Sequence, residues 1–122
     1  MWVGTWKNQF GSVVEITNEA DGKIEGTFRT ALEDSGFYGQ TVAIFGAHQG
    51  NCIGFSSASD SATGARVVSY TGLLRDGKME TAWIVAADKA LSASREGEPA
   101  QLKAVNWWRA VVTNVDTFER MD

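Results

Sequence analysis

At 122 residues, with 43% hydrophobic and 21% charged side chains, the chain has the size and composition of one ordinary globular domain spanning residues 1–122. A formal charge of −4 with scattered acids and bases excludes the basic footprint of a nucleic-acid binder, and no apolar run approaches the roughly 18–20 residues of a membrane span. A single cysteine, Cys52, excludes an internal disulfide and any multi-cysteine metal site.

The chain opens on Met1-Trp2-Val3-Gly4, with neither a basic stretch nor a hydrophobic signal core. Either the protein stays inside the cell or a leader has been removed, so localisation is left open. Trp2 is read as a loosely packed terminal residue. Gly4 to Ser12 follows, an extended segment with Trp6, Asn8 and Phe10 on one face and Ser12 resuming that face after Gly11. Aromatic, amide and hydroxyl groups on one face suit a concave wall that stacks on a ligand and hydrogen-bonds its polar edge. Trp6 itself reads as core near the closed end.

Thirteen glycines, one proline and short alternating runs predict all-β structure, with strands near residues 4–9, 12–18, 23–31, 38–46, 50–59, 64–75, 79–89 and 108–118. Ala20-Asp21-Gly22 and Asp76-Gly77 lie between alternating runs, and Asp-Gly adopts the positive backbone angles of tight primed turns. His48 falls in a glycine-bounded loop, Gly46 to Gly50, and reads as a solvated loop residue. Cys52 reads as a small packed residue. No stretch sustains helical periodicity; the best candidate is one turn around Gln101 to Trp108, after a polar loop from Ser92 to Ala100. If Trp107 and Trp108 sit on a strand they face opposite ways, which sends at least one toward a subunit interface. With one histidine and one cysteine and no phosphate-binding glycine motif, catalysis has little material here. Eight antiparallel strands with a mixed aromatic and polar inner face predict an up-and-down barrel, because closure removes both edges and leaves room for one small ligand.

Five motifs in order then match one family. Gly4-Thr5-Trp6 with Asn8-Gln9 and Gly11-Ser12, Ala20-Asp21-Gly22, Gly26-Thr27-Phe28, Thr81-Ala82-Trp83-Ile84-Val85, and Trp108 with Asn114-Val115-Asp116-Thr117-Phe118 resemble avidin and streptavidin. The resemblance implies an eight-stranded avidin-like barrel that binds biotin at its open end without catalysis and without any other cofactor. It also implies a homo-oligomer, a tetramer or less often a dimer; the charge and the lack of a long apolar run lead to the expectation of no nucleic-acid or membrane partner. It assigns Asn8 and Ser12 as donors to the ureido oxygen, and Asp116 and Thr30 as acceptors from the two ureido N–H groups. Phe10, Phe55, Tyr70, Trp83 and Val112 join the wall, and Trp108 is the tryptophan lent across an interface.

Three positions depart from the family. Phe28 replaces a tyrosine donor, Val68 replaces a threonine near the ring sulfur, and Arg66 replaces a serine near the tail carboxylate. Together they imply binding weaker than that of the strongest members. Arg66 has three readings: a pair with an anionic tail, a plug across the mouth, or a solvent-facing residue in a slipped register. The loop Leu32 to Gly36, expected to cover the pocket, carries Glu33 and Asp34. The alternatives are a barrel that binds another small or anionic ligand through Arg66, and an oligomeric scaffold built on Trp107 and Trp108.

Overall fold

The computed structural model describes residues 1–31, 40–61, 64–92, 101–104 and 106–121. Eight strands close into one antiparallel barrel: β1 (Gly4–Asn8), β2 (Val13–Asn18), β3 (Lys23–Arg29), β4 (Thr41–Gln49), β5 (Cys52–Ser61), β6 (Gly64–Arg75), β7 (Lys78–Ala87) and β10 (Val111–Met121). Neighbours in sequence are neighbours in the barrel, and β10 closes it by pairing with both β7 and β1. Between β7 and β10 the chain makes a separate two-stranded sheet, β8 (Lys89–Ser92) with β9 (Gln101–Ala104), and one helical turn, α1 (Trp107–Ala110). The segment from Gln101, read as helical, is therefore strand until Ala104, and the helical turn begins at Trp107. Antiparallel pairing with residues 89–92 decides that, a partner which periodicity within the segment cannot reveal. The expected polar loop falls mainly on residues 93–100, outside the described residues, as does the pocket-covering loop at 32–36.

The Asp-Gly turns form as their chemistry predicts. Asp76 and Gly77 have φ of 53° and 76° and join β6 to β7 in two residues. Asp21 and Gly22, at 59° and 74°, lie in a short 3-10 turn between β2 and β3. The β4–β5 turn lies later than expected. Gly50 and Asn51 make it, so His48 belongs to β4 and is half-buried, its Nε2–H donating to the Glu19 carbonyl at 2.7 Å. Gly46 is no loop glycine: a Cβ there would lie 1.8 Å from the Gly54 carbonyl oxygen. Cys52, at the start of β5, is exposed and not packed.

Inward-facing residues alternate along each barrel strand and form a core that includes Trp6, Val14, Ile16, Ile24, Ile44 and Phe118, all nearly inaccessible. Trp2 joins them with no exposed surface, contrary to its reading as a loose terminal residue. Its ring packs against Trp6 and His48, each at 6.4 Å between centroids, and its carbonyl accepts from Trp6 Nε1 at 2.9 Å. Two charged side chains clasp this segment under the barrel. Glu19 accepts from the backbone N–H groups of Trp2, at 2.7 Å, and Val3. Arg120 lies 4.3 Å over the Trp6 ring and donates to the Val3 carbonyl at 2.9 Å and to that of Met1.

The hydrogen bond from Val3, with that from Trp2 and against a smaller effect of burial, holds the Glu19 carboxyl below its ordinary value. A carboxylate depressed on folding adds stability above its unfolded pKa, and the gain disappears as pH falls through the folded one. Glu19→Gln is thus expected to lower Tm by roughly 2–4 °C at pH 7. Thermal melts along a pH series should see that difference close as pH falls below the ordinary carboxylate range, because the protonated wild type then resembles the amide.

Candidate functional site

At the end of β1 the chain turns sharply, and the turn is built around Asn8. Its backbone N–H donates to the Ser12 carbonyl at 3.0 Å, and its carbonyl accepts from Gly11 at 3.1 Å. Gly11 takes φ of 89°, which a residue with a side chain rarely adopts. The side-chain oxygen Oδ1 accepts from the backbone N–H groups of Phe10 at 3.0 Å and Ser12 at 2.9 Å. Two converging N–H donors require an oxygen there, so the orientation of the amide is determined and Nδ2 faces the other way. The same turn takes Phe10 off the face of Trp6 and Asn8 and leaves it 53% exposed, which corrects the expectation of a continuous strand face.

From Asn8 Nδ2 one hydrogen goes to Asp116 Oδ2 on β10, at 3.1 Å, with both residues buried. Tyr70 on β6 donates its hydroxyl to the same Oδ2 at 3.5 Å, and Gln9 Nε2 lies 3.4 Å from Oδ1. Burial, followed by the charge and hydrogen bond of Asp116, pushes the Tyr70 phenol far above its ordinary value. The phenol therefore stays a donor at any working pH. Gln9 also accepts from the Thr117 N–H at 3.0 Å, and Thr81 donates to the Asp116 carbonyl at 2.8 Å. Asp116 is thus held from β1, β6 and β7 at once. Gln9, Tyr70 and Thr81 have roles in this support that strand alternation does not reveal.

Beside Asn8, the Ser12 hydroxyl accepts from the Ala31 N–H at 2.8 Å and lies 3.3 Å from Thr30 Oγ1. Ser12 and Thr30 are 1% and 6% exposed, so these hydroxyls meet the Asn8 amide in a dry recess. Three rings surround Tyr70. Phe55 stacks on it at 5.0 Å, Phe28 is tilted at 5.9 Å and Phe118 meets it edge-on at 5.9 Å. Val68 is buried and Trp83 half-buried, and the Trp83 Nε1–H has no hydrogen-bond partner among the described residues.

The structure therefore brings together Asn8, Ser12, Phe28, Thr30, Phe55, Val68, Tyr70, Trp83 and Asp116. Arg66 is half-buried in the inward row of Val68 and Tyr70, while Val67 between them is 45% exposed. Val112 lies apart, on β10 and 55% exposed. Trp107 is 78% exposed and stands on a helical turn, so strand alternation does not govern its pair with Trp108. The side chain of Trp108 lies outside the described residues.

A profile described as the avidin family matches residues 1–121. The chain belongs to the avidin family. Solved avidin-like structures repeat its fold at low identity. The bradavidin2–biotin complex aligns with a TM-score of 0.72 at 18% identity, covering 98% of this chain and 96% of that one. The rhizavidin–biotin complex gives 0.73 at 19%, covering 100% and 93%. Apo short afifavidin gives 0.69 at 24%, covering 94% and 91%. These likenesses establish the barrel of an avidin.

Proposed function

We propose that this avidin-family barrel binds biotin reversibly and does no chemistry on it. The observation that supports this reading most is the buried Asn8–Asp116 contact at 3.1 Å. The Asn8 amide oxygen is already committed to two backbone N–H groups, so its second Nδ2 hydrogen is the group left for a ligand oxygen. Asn8 and Ser12 then donate to the ureido oxygen, Asp116 and Thr30 accept from the ureido N–H groups, and Phe55, Tyr70 and Trp83 enclose the rings. That bradavidin2 and rhizavidin are described in complex with biotin supports the choice of ligand. Because the turn and its partners hold the polar groups in advance, little ordering entropy opposes binding.

The affinity falls below that of members with a tyrosine donor, since Phe28 supplies a ring without a hydroxyl. Tyr70 and Asn8 also occupy Asp116 Oδ2, which leaves this carboxylate less accepting capacity for the ligand. The assembly is a homo-oligomer formed on the outer face of β6, β7 and β10, where Val67, Ile84 and Val115 are 45%, 52% and 65% exposed. Titration calorimetry at micromolar protein should give exothermic heat with biotin, and excess biotin should raise Tm. Absence of both signals overturns the reading.

A further inference from the structure

Resting on the biotin reading, we infer that the pocket wall carries a hydrogen-bond-donating subsite at Ser57, which favours a biotin oxidised at its ring sulfur, the S-oxide, over biotin itself. Ser57 on β5 is 2% exposed, and its hydroxyl has no hydrogen-bond partner among the described residues. Phe55 precedes it in the inward row and Val68 pairs with it across the ladder, and neither side chain offers a polar atom. Ser56, one residue away on the outer face, is served instead by Ser69 at 2.8 Å. On the other flank of β6, Trp83 pairs with Tyr70, and its buried Nε1–H also lacks a partner among the described residues. A buried polar group left unpaired is costly, and two that flank one inward row point to a group brought by the ligand.

An indole N–H only donates and a serine hydroxyl donates readily, so the missing group is an acceptor. Strand register gives its place. The Tyr70 hydroxyl touches Asp116 at the urea-binding end, and Val68, the partner of Ser57, is the next inward residue of β6, ~6.6 Å further along the strand. In biotin the thioether lies across the fused rings from the urea carbonyl. A ligand whose urea is held by Asn8 and Asp116 therefore brings its sulfur toward the level of Ser57. A thioether sulfur is a weak acceptor, whereas the polarised oxygen of an S-oxide is a strong one that both unpaired donors complement.

Biotin, its two S-oxide epimers and the analogue with a methylene in place of sulfur share the urea and the tail and differ only at that one ring atom. Competition calorimetry on the unaltered protein should place one epimer about three- to tenfold tighter than biotin, the yield of one added hydrogen bond. The other epimer should bind about tenfold or more weakly than the first, because Ser57 stands on one wall and an oxygen turned away from it is buried unpaired. The methylene analogue should bind no more tightly than biotin. In Ser57→Ala the favoured epimer should lose its advantage and fall below biotin, while biotin itself changes by less than about twofold. Two epimers that both bind tenfold or more weakly than biotin, or an epimer preference that survives Ser57→Ala, would overturn this subsite and leave biotin binding intact. Failure of all four ligands to bind would overturn the two together.

Discussion

Replacing Asp116 with alanine is expected to weaken biotin binding by about a hundredfold or more, the largest effect of any single change in the pocket. The carboxylate accepts from Asn8, Gln9 and Tyr70 inside a recess where it is 5% exposed. Truncation removes the charged acceptor that the ligand N–H needs. It also leaves the Asn8 amide and the Tyr70 hydroxyl without that acceptor, and losing one partner of a buried, charged network costs roughly 2–5 kcal/mol. Tyr70 cannot compensate by ionising, because burial has already pushed its phenol upward. Asp116→Asn should retain more binding, since its carbonyl still accepts while its NH2 confronts the donors around it. Competition calorimetry measures both variants. A loss of less than about fivefold for the alanine variant, in a protein that still melts cooperatively, would remove Asp116 from the site.

The second large effect concerns stability. Gly46→Ala is expected to destabilise the barrel by roughly 2–4 kcal/mol, seen as a fall in Tm on the order of 10 °C. An added Cβ would stand 1.8 Å from the Gly54 carbonyl oxygen and 2.6 Å from Phe55 Cα, both backbone atoms that cannot swing aside. Gly46 pairs with Phe55, so β4 and β5 would have to part where Phe55 stacks on Tyr70. Gly50→Ala is the control. Its Cβ meets nothing within 4 Å, and its φ of 56° costs only about 1 kcal/mol for a residue with a side chain. Chemical denaturation of the two variants should separate them clearly; equal losses would show that close approach at Gly46 is unimportant.

Membership of the avidin family narrows what the remaining residues need to explain. The polar recess is assembled from the Asn8 turn, from Ser12 and Thr30 just outside β2 and β3, and from Asp116 on the distant C-terminal strand, joined by hydrogen bonds within the chain. Phe28, Val68 and Arg66 are where this chain departs from the family pattern. The low identity to other solved avidins, 24% or less among the three compared, leaves ample room for such differences.

The alternating runs and the two Asp-Gly pairs were enough to predict an eight-stranded barrel, and the mixed face of residues 4–12 singled out Asn8 and Ser12, while Asp116 was marked only by the resemblance to avidin and streptavidin. Those signals are local: strand period is two residues, and Asp-Gly carries its turn geometry in its own backbone. What depends on distant partners was decided only by closure of the barrel. Trp2 looks like a loose end until Glu19 and Arg120 clasp the chain around it and His48 packs against its ring. Gly46 looks like a loop residue until a second strand approaches too closely for a side chain. Residues 101–104 lack strand character of their own and acquire it from residues 89–92. Phe10 fits a strand face in one dimension, yet the Asn8 side chain captures two backbone N–H groups and turns the chain away. The hydroxyls of Ser57 and Ser59 are unremarkable as letters and become informative only when burial denies them water, because the cost of an unpaired polar group belongs to its surroundings and not to its chemistry.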